Sequence, residues 1–592
     1  MLDLVSHRNV GDAFAERVAA HPQRTAVTIY RGAAAADHES LTFAELARRA
    51  ERRAAGLAAR LAPGERVLIA LPTCTEFVEL YLACLLAGLV AVPVPAPGGA
   101  ANTVERIAAI AADCAPGLAV TTGADREALA ERLREQGLGH IPVEEAGDAE
   151  AGTAPASCVQ ARRPDRDTLA VLQYSSGSTG SPKGAMLAHG NILANIQAFA
   201  EGGAVGSDDV FGIWLPLHHD MGLFGQLTTA LLFGAPIVLM QPTDFVRRPV
   251  EWFRMLDRYG ITVTASPNFA FDLCVRLITD EMLDRIDLSR LRVAFNGSEP
   301  IHVPTVTAFT KRFADVGLRP EVVSPAYGMA EVTVFASANP AGVTATVIVA
   351  DPRRLESAEQ PELRPTGGEG KEIIGVGWPP ALDLRIVDPR TRQELPDHAI
   401  GEVWLRGPSV GSGYWNLPEL SVRNFQARLA GDDSTDSGAG WLRTGDLGTV
   451  VDGELFITGR IKEMVIVRGR NLFPQDLEQE ARAAHQGLVG YVGAAFGVIA
   501  PDERVVLVHE VSPKLPDVEL PAVAAAVTQR LTVAFGVPVR NILLVRRGTV
   551  RRTTSGKIQR GTMRERFLAG DIEALHAELE PEVRRISAGG AG

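Results

Sequence analysis

Hydrophobic and polar positions repeat with two different periods along the first three hundred residues. Short apolar runs with strand character lie at 66–72, 90–96, 118–122, 168–176, 235–241 and 292–297. Between them are longer segments, such as residues 40–61, in which apolar residues recur every three or four positions, as in amphipathic helices. Buried strands that alternate with helices predict parallel sheets covered by helices, so the predicted fold class is α/β.

The pattern changes twice further along the chain. Residues 345–375 are charged and rich in proline and glycine, which predicts an insertion or surface excursion, with a solvated loop as the simplest interpretation. Short strands follow, with a hairpin turn at Asp452-Gly453, and predict a small β-rich subdomain. The predicted domains are an N-terminal domain at 1–459, a hinge at 460–463 and a small mobile α+β domain at 464–592.

One apolar stretch, residues 80–97, approaches the length of a membrane span. Gly88 and three prolines from Pro93 onward disfavour a spanning helix, because an interior proline removes a helical hydrogen bond. We therefore expect a buried helix that runs into a buried strand, and no transmembrane segment. The first residues include acidic side chains without a continuous apolar run, so no signal peptide is predicted.

Charge and cysteine content narrow the possible partners and the compartment. The 592 residues carry a formal net charge of -12, which excludes nonspecific nucleic-acid binding but leaves room for an acidic small partner at a local basic patch. The five cysteines form no CxxC pair, so neither a zinc site nor a disulfide framework is indicated. A reducing, cytoplasmic setting fits best.

The strongest chemical signal is the segment Tyr174–Gly184, YSSGSTGSPKG, which follows a strand and precedes a helical pattern. Its glycines let backbone N–H groups approach an anion, its hydroxyls add donors, and a lysine adds a positive charge. The candidate phosphate-binding residues are Ser175, Ser176, Gly177, Ser178, Thr179, Gly180 and Lys183. Gly184 follows the lysine where the common phosphate loop has a hydroxyl, so a different ATP chemistry is predicted.

Further segments in the same order resemble the adenylate-forming superfamily of acyl-CoA synthetases, luciferases and peptide-synthetase adenylation domains. They are NGSEP at 296–300, PAYGMAEVT at 325–333, WLRTGDLG at 441–448, TGRIKE at 458–463 and TTSGKIQR at 553–560. The resemblance implies that ATP and Mg²⁺ are used, with Glu331 and Thr179 at the metal and Lys462 as the hinge residue. The implied adenine and ribose residues are Gly297, Ser298, Glu299, Pro300, Ala326, Tyr327, Gly328, Met329, Asp446 and Arg460.

Lys557 matches the lysine that, in this superfamily, bridges the attacking carboxylate and the α-phosphate. A cation between two anions stabilises the charge that develops as they meet. Read alone, a lysine after Ser-Gly is an ordinary surface residue, so this role rests on the resemblance.

Residues 214–253 and the segment VRGRNLFPQDLE resemble the fatty acyl-AMP ligases, and the likeness spans roughly residues 10–570. It implies a fatty acid substrate, a place in lipid, polyketide or lipopeptide synthesis, and acyl transfer to a carrier protein, because the insertion is thought to restrict the rotation that builds a coenzyme A site. His219 is the implied second catalytic residue, with a locally bonded histidine as the alternative. The implied acyl pocket residues are Trp214, Asp220, Met221, Phe224, Asn268 and Phe269.

The chain shows no Asp-Ser-Leu or Gly-Gly-x-Ser attachment site after the small domain, so we expect a separate acyl carrier protein. Two alternatives stay open. One is a fatty acyl-CoA ligase with the same first half-reaction, and the other is a nucleotide- or acyl-binding protein without catalysis.

Overall fold

The computed structural model describes residues 3–35, 38–98, 101–147, 163–175, 182–357, 359, 361–366, 368, 370–431, 440–467, 470–553 and 556–587. Its fold is mixed α/β, as the sequence predicts. The helices of the described residues are Val10–Ala20, Phe43–Ala58, Thr75–Leu86, Ala101–Cys114, Gly123–Glu135, His189–Gly203, Asp220–Gly222, Thr229–Phe233, Pro242–Arg247, Val250–Arg258, Asn268–Leu277, Val303–Arg312, Pro352–Leu355, Pro418–Phe425, Pro474–Arg482, Leu520–Phe535, Arg560–Leu568 and Pro581–Ser587.

The largest sheet positions most of the candidate site. In spatial order its strands are Ser337–Ala338, Val323–Tyr327, Val293–Gly297, Val263–Pro267, Phe211–Ile213, Ile237–Met240, Thr25–Tyr30 and Glu39–Thr42. The inner strands pair in parallel, and the outermost strand at each edge is antiparallel. Strands buried on both faces read as continuous apolar runs, which is why the sequence predicts them.

A second sheet carries the ends of the predicted phosphate loop. Its strands in spatial order are Val143–Glu145, Leu118–Thr121, Arg66–Ala70, Val90–Pro93, Leu169–Ser175 and Lys183–Ala188. The helix Thr75–Leu86 is buried and leads into Val90–Pro93, which confirms the interpretation of residues 80–97. Helix Phe43–Ala58 begins with a capping box formed by Thr42 and Glu45, so its start is set by local sequence.

The predicted β-rich subdomain is an antiparallel sheet. Its strands are Asp383–Val387, Gly401–Arg406, Leu442–Val451 and Glu454–Arg460. Asp452 and Gly453 have φ values of +49° and +78° and join the last two strands by a two-residue turn, as predicted.

Residues 345–375 are not only a solvated loop, which corrects the simplest interpretation of this segment. Strands Val347–Ala350 and Lys371–Ile374 pair antiparallel. Side chains between them, including Leu355 and Leu363, are buried in one apolar cluster with Phe473 of the C-terminal part. The sequence did not indicate these contacts, because the segment is mostly polar. A few apolar residues are nevertheless enough to hold a short hairpin against neighbouring structure.

The C-terminal part has its own sheets and cores. A pair of short strands, Val465–Val467 and Arg470–Leu472, precedes a sheet of Gly493–Ile499, Glu503–Glu510, Asn541–Val545 and His576–Glu578. Within the described ranges, one helical stretch, Asp517–Phe535, is long and apolar enough to cross a membrane by length and composition alone. Its Val523, Val527 and Leu531 pack in the core beside the sheet.

Candidate active site

A deep cleft runs along the carboxyl ends of the parallel strands of the largest sheet. It encloses about 1940 Å³. Strands Val263–Pro267, Val293–Gly297 and Val323–Tyr327 end there, and Asn268, Ser298 and Gly328 follow them into the wall. Ligands of open α/β sheets bind beyond the carboxyl ends of the strands, where loops rather than regular backbone supply the side chains. The topology therefore explains why residues distant in sequence meet here.

Most predicted site residues that the structure describes line this cleft. They are Lys183, Trp214, His219, Asp220, Met221, Asn268, Phe269, Gly297, Ser298, Glu299, Pro300, Ala326, Tyr327, Gly328, Met329, Glu331, Asp446, Arg460, Lys462 and Lys557. Phe224 is a correction, because it is fully buried in the main core and is not among the lining residues. Ser176, Gly177, Ser178, Thr179 and Gly180 lie outside the described residues, as does the side chain of Ser175.

The two ends of the predicted phosphate loop are held side by side. Strand Leu169–Ser175 pairs antiparallel with Lys183–Ala188, and Ser175 lies opposite Lys183. The loop therefore leads into a strand that the sequence analysis did not predict, and helix His189–Gly203 follows it at the position where the helical pattern begins. The run from Gly184 to Ala188 was overlooked because it is short and follows a Pro-Lys-Gly turn.

Asp446 is the centre of a polar group in the cleft wall. Its carboxylate accepts hydrogen bonds from the hydroxyl of Tyr327 at 2.9 Å and from Nε of Arg460 at 2.8 Å. Asp446 is 3% exposed. The carboxylate of Asp446 raises the pKa of the Arg460 guanidinium, so Arg460 stays charged. An ionised carboxylate with several acceptor sites suits a diol such as a ribose.

Gly328 lets the chain turn tightly beside Tyr327. A Cβ atom at this position would lie 1.7 Å from the carbonyl oxygen of Val334, so no other residue fits without moving the backbone. The tight turn carries the chain to Glu331, whose carboxylate accepts a hydrogen bond from the hydroxyl of Tyr414 at 2.6 Å. The sequence did not indicate Tyr414, because no local motif connects it with residue 331.

Two lysines converge near the ends of the phosphate loop. Lys183 Nζ lies 5.7 Å from the ring centroid of Tyr414. Burial and the positive charge of Lys462 lower the pKa of Lys183, and the carboxylate of Glu331 opposes that shift. The positive charges of Lys183 and Lys462 repel each other, and a bound polyanion would relieve this repulsion. The two lysines are therefore a suitable environment for phosphate groups.

His219 and Asp220 form an ion pair at the start of a short helix. His219 Nδ1 lies 2.6 Å from Asp220 Oδ1, and the same oxygen accepts the N–H of Met221 at 2.7 Å. Burial alone would raise the pKa of Asp220, but the interactions with His219 outweigh it and lower that pKa. Asp220 therefore fixes the His219 ring as well as lining the cleft. The neighbouring His218 is neutral, because burial lowers its pKa to about 3.

Lys557 is presented by a tight turn of the C-terminal part. The backbone N–H of Lys557 donates to Thr553 Oγ1 at 3.0 Å, and the N–H of Thr553 donates to the carbonyl of Lys557 at 2.8 Å. Gly556 has φ +87°, and a Cβ atom there would lie 2.6 Å from the ring of Phe269. The turn therefore packs directly against Phe269 in the cleft wall.

Three carboxylates of the large domain act on Lys557. Burial and the positive charge of Arg460 lower the pKa of Lys557, while Asp220, Glu299 and Asp446 act in the opposite direction. Burial raises the pKa of Glu299 to about 7, against the hydrogen bond that the N–H of Phe269 donates at 2.5 Å. Sequence reasoning placed Glu299 beside the adenine, and the folded chain also puts its carboxylate among the charges that act on Lys557.

No group of three or more metal-binding side chains occurs in the part of the chain that the structure describes. Glu331 lines the cleft, and its carboxylate acts on the charge of Lys183. Mg²⁺ is usually held by one or two carboxylates together with substrate phosphates and water. This donor set fits a metal that arrives with a nucleotide and does not fit a resident metal cage.

Comparison with known proteins gives a consistent result. The family model described as AMP-binding enzyme matches residues 14–415. The chain is 35% identical, over 91% of its length and 92% of the relative, to the medium-chain-fatty-acid–[acyl-carrier-protein] ligase JamA of Moorena producens. It is also 35% identical to the long-chain-fatty-acid–AMP ligase FadD26 of Mycobacterium marinum, over 96% and 99% of the two chains.

A solved structure agrees over nearly the whole chain. It belongs to a set on fatty acyl-adenylate ligases from E. coli and L. pneumophila, and superimposes with a TM-score of 0.84 at 28% identity, covering 95% of this chain and 98% of the other. The likeness therefore includes the C-terminal part that presents Lys557.

Proposed function

The chain belongs to the AMP-binding enzyme family, in its fatty acyl-AMP ligase branch, and we propose that it activates a fatty acid with ATP and passes the acyl group to a separate carrier protein. The observation that carries the proposal is that Lys557, from the C-terminal part of the chain, lines the same cleft as Asp220, Glu299 and Asp446. A protein that only binds nucleotide needs no such lysine, whereas an adenylating enzyme uses a cation to stabilise the charge that develops between the carboxylate and the α-phosphate.

In the first step a carboxylate oxygen of the fatty acid attacks the α-phosphorus of ATP. A new phosphorus–oxygen bond forms, the bond to the β-phosphate bridging oxygen breaks, and pyrophosphate leaves. Asp446 orients the ribose, Lys183 attracts the departing phosphates, and Lys557 stabilises the negative charge between the two reacting groups. Mg²⁺ would accompany the phosphates and be held by Glu331 and Thr179, where it neutralises phosphate charge.

His219 is the proposed partner of the fatty carboxylate. Its Nδ1 faces Asp220, so its Nε2 is the ring nitrogen left to face a ligand in the cleft. A histidine there would offset part of the negative charge of the incoming carboxylate.

In the second step the thiol of a phosphopantetheine arm attacks the acyl carbonyl, AMP leaves, and the thiol proton is lost. We propose that Lys462 is the hinge between domains 1–459 and 464–592 and that residues 345–375 limit rotation about it. Contacts between residues 345–375 and the C-terminal part of the chain support such a restraint. Arg470 pairs with Glu356, Asn471 N–H donates to the carbonyl of Glu356 at 2.8 Å, and Lys371 pairs with Asp476.

A basic patch supports a protein acceptor. Arg546, Arg547, Arg551 and Arg552 are exposed, and none of these four has an ion pair with a described carboxylate. Arg547 and Arg552 also border the cleft. On a chain of net charge -12, an acidic protein would approach best at such a local positive surface.

The proposed activity is tested by ATP–pyrophosphate exchange with fatty acids of different length. Wild-type protein should exchange label only when a fatty acid is present, and Lys557→Ala should lose most of this activity while keeping ATP binding. Near-normal exchange by Lys557→Ala would refute the assigned role.

The acceptor is tested separately, by supplying carrier protein or coenzyme A to preformed acyl-AMP complex. Mass spectrometry should detect acyl-carrier product, with a rate that falls as salt increases. Acyl-CoA as the main product would instead support the acyl-CoA ligase alternative, and binding without pyrophosphate release would support the non-catalytic one.

A further inference from the structure

One arginine in the wall of the cleft has no partner. Arg106 belongs to helix Ala101–Cys114, lines the cleft and is partly exposed. Its guanidinium makes no hydrogen bond or ion pair with any residue that the structure describes. None of its nitrogens is both unbonded and closed off from solvent, so the guanidinium is accessible to a ligand.

The surroundings of Arg106 favour a bound anion. Burial lowers the pKa of Arg106, and no described carboxylate opposes that shift. Other arginines of the same cleft differ, since Arg460 is paired with Asp446 and Arg560 is paired with Glu478. A charged group that loses water without gaining a partner is destabilising, whereas an anion that binds to it would restore the lost interactions.

Helix Ala101–Cys114 fixes the position of Arg106. Its buried side chains belong to the apolar core beside the second sheet. Near the end of the helix, the hydroxyl of Tyr174 donates to the carboxylate of Asp113, and Nδ2 of Asn416 donates to the carbonyl oxygen of Asp113 at 2.7 Å. Arg106 precedes Asp113 by about two helical turns, so the two residues lie on the same face of the helix.

The charge of Arg106 acts on the His218 side of the cleft. Burial lowers the pKa of His218, and the positive charge of Arg106 contributes to this shift. Gln173, which also lines the cleft, donates from Nε2 to the carbonyl oxygen of His218 at 2.9 Å. Burial and other charges act on the pKa of Lys183, but the charge of Arg106 is not among them. Arg106 is therefore set apart from the lysine that is proposed to attract the departing phosphates.

The proposed reaction brings three anionic groups into the cleft. The ATP phosphates have Lys183 and Lys462, and the fatty carboxylate has His219 and Lys557. The third anion is the phosphate of the phosphopantetheine arm, and no cation has yet been assigned to it. An arginine suits this phosphate, because its planar guanidinium can donate to two phosphate oxygens at once.

Resting on the proposed function, we infer that Arg106 binds the phosphate of the phosphopantetheine arm and so positions the thiol for attack on the acyl-adenylate. Arg106 is a positioning residue, because it contacts neither the thiol nor the acyl carbonyl in this role. Its loss should therefore raise the KM for the arm, while the first half-reaction, which needs no arm, keeps its KM values for ATP and fatty acid.

The test uses two small thiols, phosphopantetheine and pantetheine, which differ only in the phosphate. Each is supplied to the full chain at saturating ATP and fatty acid, and mass spectrometry of the acyl thioester gives kcat and KM. The wild-type KM for phosphopantetheine should be lower than that for pantetheine by about tenfold or more. Arg106→Gln should bring the two KM values to within about twofold. Arg106→Lys keeps the charge without the fork and should fall between them.

Arg134→Gln is the matched control. It removes an exposed arginine of the next helix, Gly123–Glu135, that does not line the cleft and has no ion pair with a described residue. It should keep the wild-type preference for phosphopantetheine. ATP–pyrophosphate exchange is measured for the same variants, so that an effect on the first step is seen separately.

Two results would overturn the inference. One is equal KM values of the two thiols for wild-type protein, a comparison that needs no variant to fold. The other is a raised KM for ATP or for fatty acid in Arg106→Gln with an unchanged preference between the thiols, which would assign Arg106 to that anion instead. Absence of exchange with every fatty acid would refute the proposed function itself, and exchange without transfer to either thiol would refute its second step.

Discussion

The contact between Gly556 and Phe269 allows a test of how Lys557 is positioned. We consider Gly556→Ala. Its φ of +87° disfavours any side chain, and the new Cβ atom would lie 2.6 Å from the Phe269 ring. The backbone strain alone is worth about 1–2 kcal/mol. The close contact must in addition displace the turn or the ring, because Cβ atoms do not approach carbon that closely.

Gly548→Ala separates these two effects. Gly548 has φ +90° in the same part of the chain, but a Cβ atom there would meet nothing within 4 Å. Gly548→Ala should lose about 1–2 kcal/mol of folding stability, and Gly556→Ala should lose at least as much, because its contact with Phe269 adds to the same backbone strain. A displacement of Lys557 by about 1 Å can reduce the rate about a hundredfold, so only Gly556→Ala should show such a loss of acyl-AMP formation.

The assay is pyrophosphate release at saturating ATP and fatty acid, with thermal unfolding measured in parallel. Adding Phe269→Leu to Gly556→Ala should recover part of the rate, since the smaller side chain gives the new methyl group more room, and the double-mutant cycle measures the coupling. Equal rates for the two alanine variants would show that the contact with Phe269 does not position Lys557.

Two further predictions follow from the charges around the cleft. Burial raises the pKa of Glu299 from its ordinary value of 4.5 to about 7, so the folded protein binds a proton there more tightly than the unfolded chain does. The stability that this protonation provides is fully present below pH 4.5 and is lost as the pH rises through 7. Relative to wild type, the unfolding free energy of Glu299→Gln should therefore increase by up to about 3 kcal/mol as the pH rises from about 4.5 to about 8. Denaturant unfolding of both proteins across this range measures the difference, and a difference in midpoint that does not change with pH would contradict the prediction. Arg470→Ala removes the ion-pair partner of buried Glu356 and should increase acyl-CoA formation, measured by mass spectrometry. Arg354→Ala is the control, because it breaks only an exposed ion pair. Equal acyl-CoA yields from the two variants would argue against a restraint by residues 345–375.

The sequence alone determined the architecture and the chemical class. Apolar runs mark the strands because parallel strands are buried on both faces, and the order of motifs from Tyr174 to Lys557 indicates adenylation. These are local signals, each contained in a few consecutive residues. They identify Asp446 and Glu331 without showing what either side chain contacts.

Only the tertiary structure decided which of these residues meet. Glu299, assigned to the adenine from its segment, accepts the backbone N–H of Phe269 in the cleft, while Phe224 is in the core rather than in the cleft wall. The π-helical turn Leu223–Thr228 left no recognised signal in the sequence. The physical reason is that burial and pairing depend on packing between segments far apart in the chain, whereas periodicity and motifs report only on neighbours along it.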